Sequence, residues 1–380
     1  MGIFKTENRL VLLISKTYLT ELEADELCEL LNTHMDWSHV IGQLEFHRTA
    51  GIAWINFKKY MFRDLNFSCT CTRFHNYLKK SYLVQEKQVR SNLEYTSQIC
   101  KLFDDHNIRY VILKGIVLSH SIYEDFGMRS FSDNDILVHP NQLNQAIEVL
   151  QSQGYIQGEI RQGREIVPAS RRELVVRSMN SHEVVPFVLK IEDYMFFEFH
   201  IIDLHFSMIL MSSTRNEAIV QEMLNSSIEI NVEGKVIRSL PWEYMLLFLC
   251  QHLFKEAISP YHLLKYKDFL LYKFCDIYSL LKNPRIIIDW DLFIEKAYEL
   301  DFVQDTFYTF HFLTLIFGED LVPPEIMAKI ESEDKEFLYE ICKYNSNEVV
   351  YRYDNNVLDR LFDLNRPSKF VEFDKNNGDL

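Results

Sequence analysis

The chain has 380 residues and carries 55 Asp and Glu against 40 Lys and Arg, a formal net charge of −15. Bulk nucleic acid or an anionic membrane is a poor partner for such a surface, because that binding rests on Lys and Arg facing phosphates. Hydrophobic residues make up 47% of the chain, so it can bury a large core, while only 11 Gly and 9 Pro favour helices over a sandwich of short strands.

The seven cysteines are an odd number with no C-x-x-C pair among them. Cys69 and Cys71 lack the second pair a zinc site needs, so free thiols in a reducing cytosol are expected. The apolar run "LVLLIS" is too short to cross a membrane, and no cleavage site follows it. "MGIFKT" fits only a short myristoylation pattern. The chain reads as cytoplasmic.

Residues 8 to about 107 keep helical apolar spacing almost throughout. Thr20 and Glu23 form a capping-box pattern ahead of "ELEADELCELLN". His47, among apolar neighbours, reads as a packed core residue. From Arg109 the pattern changes. "RYVILKG" is a short strand entering a turn at Gly115, and "IVLSHSIYEDFG" is a helix stopping at Gly127. "DNDILVHP" is a strand closed by Pro140, and "NQLNQAIEVLQSQG" a helix closed by Gly154. Two β-rich runs follow, "RELVVRSMNSHEVVPFVLKIE" and "YMFFEFHIIDLHFSM". Helical spacing returns at "PWEYMLLFLCQHLFKEA" and lasts to about residue 363, and the polar "NRPSKFVEFDKNNGDL" reads as a frayed tail. The expected organisation is a helical region over 1–107, a core over 108–240, a helical domain over 241–365 and a flexible tail over 366–380. The fold class is α+β, a mixed sheet with helices on one side.

The chemistry concentrates where "DNDIL" begins. Side chains two apart on a strand share a face, so Asp133 and Asp135 project together and Asn134 points away. Two neighbouring carboxylates that both stay ionised need a cation between them. Oxygen-only ligation suits Mg²⁺. A third carboxylate stands in "EFHIIDLHF", where Asp203 and His205 share one face and Glu198 and His200 the other. Asp203 is the candidate third ligand and Glu198 the alternative. Upstream, Lys114 and Gly115 stand at the mouth of a helix, where backbone N–H groups favour an anion, and Arg129 adds a second cation.

None of these signals is distinctive alone, but their order resembles the nucleotidyltransferase superfamily typified by DNA polymerase β. Within it the chain is most similar to a bacterial nucleotidyltransferase-like family. The residues that carry the likeness are Leu113-Lys114-Gly115, Tyr123, Gly127-Met128-Arg129, Asp133-Asn134-Asp135-Ile136-Leu137-Val138 and Asp203-Leu204-His205-Phe206. The flanking "DWSHVIGQLEFHRTAG", "FLCQHLFKE", "YKFCDIYSLL" and "IDWDLFIEKAYEL" extend it over most of residues 30–325. Two departures stand out: Ile116 follows Gly115 where the superfamily usually has Gly or Ser, and Asn134 stands where an apolar residue is common.

The resemblance implies two Mg²⁺ ions, or Mn²⁺, held by Asp133, Asp135 and Asp203, with Lys114, Gly115, Arg129 and Ser132 on the nucleotide. It implies transfer of a nucleoside monophosphate from an NTP to a hydroxyl or phosphate of a small molecule, peptide or protein. Asp203 is a candidate base for the acceptor hydroxyl. The competing expectation is a silent nucleotide-binding regulator that kept the fold, against which the intact acid trio speaks. His205 is expected beside the site or in the core. The run Arg161, Arg164, Arg171, Arg172 and Arg177 reads as a solvated face, with an anion clamp as its alternative. His252 and His262, near Lys255, match no metal spacing. Asp276 is expected to tether the C-terminal helices to the core.

Overall fold

The computed structural model describes residues 5–61, 69–192, 196–210, 216–343, 346, 348–353 and 356–377. Most of the myristoylation pattern, residues 1–4, lies outside them, as do residues 378–380 of the expected tail. The chain opens with helices α1 (Lys5–Ile14), α2 (Glu21–Leu31), α3 (Trp37–Phe46), α4 (Ala50–Met61) and α5 (Thr72–Asp105). Next come β1 (Tyr110–Ile112), α6 (Ile116–Ser121), β2 (Asp133–Val138), α7 (Leu143–Ser152), β3 (Ile156–Arg161) and β4 (Glu165–Pro168). They are followed by α8 (Arg171–Asn180), β5 (Phe187–Lys190), β6 (Phe199–His205), α9 (Glu217–Asn225), β7 (Ile228–Val232) and β8 (Lys235–Ser239). The last stretch holds α10 (Trp242–Ala257), α11 (Pro260–Leu264), α12 (Leu271–Lys282), α13 (Trp290–Glu299), α14 (Val303–Phe317) and α15 (Pro324–Ile330). The hairpin β9 (Glu340–Cys342) and β10 (Val349–Arg352) and helices α16 (Val357–Phe362) and α17 (Arg366–Asn377) complete it. No described helix is long and apolar enough to cross a membrane.

The chain divides into two compact units, one from residues 83–248 and one from the residues on either side, with one boundary inside α5. The first unit holds the expected α+β fold, a mixed eight-stranded sheet in the order β4-β3-β5-β6-β2-β1-β8-β7. Strands β2 and β6 run parallel, as do β1 and β8, and the other pairs are antiparallel. Ile136, Leu137 and Val138 of β2 are fully buried whichever way they point, as a central strand covered on both faces requires. Asp133, the first residue of that strand, is only partly buried. The polar end of β2 therefore emerges where the apolar run has not yet begun.

Several elements differ from the sequence reading for identifiable reasons. "RRELVVRSMN" is the helix α8, because Ser170 and Glu173 form a reciprocal capping box ahead of it. Helix α6 stops at Ser121, six residues before Gly127, where Glu124 at a φ of 53° turns the chain. The hairpin β7–β8 had no recognised turn signal, since Glu233 and Gly234 both take positive φ (51° and 83°) in a two-residue loop. That geometry is usually marked by Asn-Gly or Asp-Gly.

In the second unit, the capping box of Thr20 and Glu23 is formed. His47 is fully buried at the C-terminal cap of α3, where its Nδ1 accepts the Leu271 N–H at 3.1 Å. Burial pushes this imidazole down to about 3, so it is neutral there. Arg360 lies between the rings of Phe269 (4.3 Å) and Tyr353 (4.2 Å) and donates to Ala257 O at 2.7 Å. The polar stretch read as a frayed tail is helical over Arg366–Asn377. Arg366 and Asp268 form a fully buried pair at 2.9 Å, and Phe370 packs with Leu263, Ile341 and Tyr353. None of the seven cysteines is in a disulfide.

Candidate active site

The parallel register of β2 and β6 sets Asp133 beside Ile201, Asp135 beside Asp203, and Leu137 beside His205. Because side chains alternate, Asp133, Asp135, Asp203 and His205 belong to one face of the sheet. Asp203 feels both other aspartates. Burial first, then Glu183, Asp133 and Asp135, push its carboxyl well above the ordinary carboxylate range, with Lys114 pulling the other way. Glu198, the alternative third acid, is exposed and precedes β6. It stands five positions before Asp203, on the opposite alternation.

Each oxygen of Asp135 meets a different nitrogen. Lys114 Nζ lies 3.1 Å from Oδ2, with both side chains largely buried. His205 Nε2 donates to Oδ1 at 3.0 Å. Lys114 reaches this position because Leu113 N–H bonds to Asp135 O at 3.0 Å, locking the end of β1 to β2. The next residue, Gly115, turns the chain at a φ of +60°, and a Cβ there would stand 3.3 Å from the Phe131 ring. Any L side chain would be strained at this position, so the glycine is required by the turn that delivers Lys114.

Two further residues, His182 and Glu183, join the cluster without any motif in the sequence to mark them. Glu183 pairs through its backbone with His205, and its Oε2 is 3.4 Å from His205 Nε2 and 3.5 Å from His182 Nε2. Its other carboxylate oxygen pairs with Arg177 of α8. Neighbouring strand residues normally point to opposite faces. Here the chain bends at Ser181 and His182, which brings both His182 and Glu183 to the same carboxylate cluster.

The reverse face of the strand pair is a buried polar network. Asn134 Nδ2 donates to Ile201 O at 3.1 Å and approaches His200 Nε2 at 3.2 Å. Thr96 of α5 donates to Asn134 Oδ1 at 3.1 Å, and Tyr155 meets His200 Nδ1 at 2.7 Å. Burial pushes His200 down to about 3, which keeps the ring neutral among these partners. Asn134 therefore points away from the acids, as its place in the strand implies, but it also ties β2 to β6 and α5.

The other candidate residues scatter. Arg129 is buried, with its guanidinium 5.7 Å from the Phe131 ring, and Ser132 is exposed just ahead of Asp133. Among the arginine run, Arg161 pairs with Glu159 at 2.7 Å, Arg177 turns to Glu183, and Arg164, Arg171 and Arg172 are exposed. In the other unit, His252 and His262 lie 3.7 and 3.5 Å from Glu256. Burial would raise Glu256, but Lys273 and the two histidines hold it below the usual carboxylate range. Asp276 is buried in α12.

The acid trio fits a hard divalent cation. Asp203 Oδ1 is buried and, among the described residues, has no hydrogen-bond partner. Asp133, Asp135 and Asp203 belong to one face of the strand pair and bear only oxygen donors, the type that Mg²⁺ and Mn²⁺ prefer.

Among curated proteins no sequence matches the chain. A solved structure, described as an antigenic nucleotidyltransferase-like protein from Paracoccidioides brasiliensis, is similar at 13% identity and a TM-score of 0.34. The match covers 64% of this chain and 97% of that one. Residues 33–318 match a family described as "Uncharacterised nucleotidyltransferase", which supports nucleotidyl transfer as the reaction class. The chain belongs to this nucleotidyltransferase family.

Proposed function

We propose that the protein moves a nucleoside monophosphate from an NTP onto a hydroxyl or phosphate of a small molecule, peptide or protein, releasing pyrophosphate. The observation that carries this reading is the register of Asp135 against Asp203, with Asp133 on the same face and Lys114 at 3.1 Å. Asp133, Asp135 and Asp203 would hold divalent metal, Mg²⁺ or Mn²⁺, in two ions. Such ions supply charge neutralisation and polarisation of phosphoryl oxygens when bound.

The remaining roles fall to side chains. An acceptor oxygen forms a bond to the α-phosphorus as the bond from that phosphorus to the bridging oxygen breaks, and the electron pair leaves with pyrophosphate. Asp203 is the proposed taker of the hydroxyl proton. Lys114 would offset negative charge on the phosphates, with Gly115, Ser132 and Arg129 as further nucleotide contacts. Lys114 is the best supported of these, because it already stands against Asp135. The arginines near α8 are candidates for an anionic acceptor, and the net charge of −15 speaks against bulk nucleic acid in that role.

Incubation with α-labelled NTPs, Mg²⁺ and separate pools of metabolites, peptides and proteins tests the reading. Label should move to one pool and not move with Asp135→Asn protein. Transfer that survives the substitution removes the acid trio from the chemistry. Tight NTP binding with no transfer to any pool would instead support a silent nucleotide-binding regulator.

A further inference from the structure

We propose a second metal site, made by His182, Glu183 and His205, that takes a divalent transition-metal ion of the Zn²⁺ class. One ligand atom from each of the three residues lies within 4.8 Å of the other two, a spread that one ion can bridge. His182 and His205 are buried and Glu183 is partly so. The two imidazole rings stand 5.2 Å apart, centroid to centroid, and tilt by 35°, with Nε2 of each turned to the same Glu183 oxygen. Asp135 Oδ1, 3.0 Å from His205 Nε2, supplies a fourth ligand at the edge of the set.

Donor chemistry separates this site from the acid trio. Two imidazole nitrogens with one or two carboxylates suit Zn²⁺, Co²⁺ or Fe²⁺, whereas Mg²⁺ prefers an all-oxygen shell. Charge also favours a cation. The carboxyl groups of Asp133, Asp135, Asp203 and Glu183 gather here and outnumber the cations of Lys114 and Arg177, a crowding that a bound cation would relieve. Lys114 holds Oδ2 of Asp135, and the proposed ion would sit with its Oδ1. Bound there, the ion would clamp the bend at His182 to the end of β6. The proposal stands on these contacts and does not need the transfer reaction.

The test is Co²⁺ binding to the full-length protein after chelator treatment, followed by visible absorption, with Zn²⁺ and Mg²⁺ as competitors. One Co²⁺ per chain should give the absorption of mixed nitrogen and oxygen ligation. Zn²⁺ should abolish it, and a large excess of Mg²⁺ should leave it. Glu183→Gln and His182→Gln should each weaken Co²⁺ binding by at least about tenfold, since even residues behind the ligands are worth that much. Asp133→Asn should keep the spectrum, so a failure of nucleotidyl transfer leaves the result readable. Absence of the spectrum, displacement by Mg²⁺, or unchanged affinity in a folded Glu183→Gln protein would overturn the site. If His182→Gln does not fold, Glu183→Gln and the wild-type competition decide.

Discussion

Asp135 and Asp203 are direct register partners on adjacent parallel strands, and the carboxyl of Asp203 is raised because burial and its acidic neighbours disfavour its charge. An arrangement that crowds like charges costs stability in the metal-free protein. Under the proposed function those charges would hold a cation, a trade of stability for activity of the kind seen at functional sites.

Asp203→Asn should therefore separate stability from function. A raised acid contributes stability below the ordinary carboxylate range and loses it as pH climbs toward the native value. Without metal, the variant should melt about 2–4 °C higher at pH 7, the shift that about 1 kcal/mol gives in a domain of this size. The gain should shrink at acid pH. Label transfer should fall by at least about a hundredfold, the scale of losing one preorganised electrostatic group. Calorimetry across pH beside the transfer assay checks both, and a variant that is less stable at every pH contradicts the crowding argument.

Much of the acid trio was legible in the sequence, and the reason is periodicity. Asp133 and Asp135 are two apart on an apolar strand, so a shared face follows without coordinates. Asp203 was legible as the acid of a β-prone run, but its partner was not, because register is set by the whole sheet. His182 and Glu183 were missed since adjacent strand residues should diverge, and only the bend before β5 brings them together. Helix α8 was read as strand because Val175, Val176 and Met179 looked like β content, yet they are exposed and the capping box decides. The β7–β8 hairpin hid behind a Glu-Gly turn.

Asn134 sits between two acids and should behave opposite to them. Asn134→Leu would take the side-chain amide from the Ile201 carbonyl and from His200, and leave Thr96 with only Asn92 and His200. Leaving buried polar groups without partners costs about 1–3 kcal/mol. Urea unfolding should show that loss, where Asp203→Asn shows a gain. An unchanged midpoint would mean that the network adds nothing to the joint between β2 and β6.

Lys114 tests the cation side of the same cluster. Lys114→Gln keeps much of the length and removes the charge 3.1 Å from Asp135. Turnover should drop about a hundredfold if the charge acts on the reacting phosphates. If the ammonium only binds the ground-state triphosphate, KM rises and kcat stays. Steady-state kinetics over a range of NTP concentration separates the two, and no change in either parameter removes Lys114 from the site.

In the other unit, Asp305 predicts a pH effect away from the acids. Burial, with Asp301 adding to it, pushes its carboxyl up to about 8. The unfolded chain releases this proton near the usual carboxylate value, so between there and pH 8 the native state holds one proton more. Stability must then fall as pH rises through that window. Asp305→Asn should remove the slope, matching wild type near pH 4 and exceeding it at pH 8. Parallel slopes for the two proteins in denaturant titrations at several pH values would contradict it.

Helix α17 makes the last test, because its polar sequence reads as a frayed tail. Arg366 pairs with Asp268 and also donates to the carbonyls of Arg360 at 2.8 Å and Asp363 at 2.9 Å. Removing one partner of a buried pair leaves the other charge uncompensated, at about 3–5 kcal/mol. Arg366→Ala should therefore cost far more than Lys369→Ala, whose pair with Asp363 stands at 2.6 Å with the lysine half-exposed. Truncation before Arg366 should lose at least as much as Arg366→Ala, since it also removes Phe370 from its cluster with Leu263, Ile341 and Tyr353. Denaturant midpoints of the three variants give the ranking. Equal midpoints for Arg366→Ala and Lys369→Ala would mean that the buried pair adds nothing to stability.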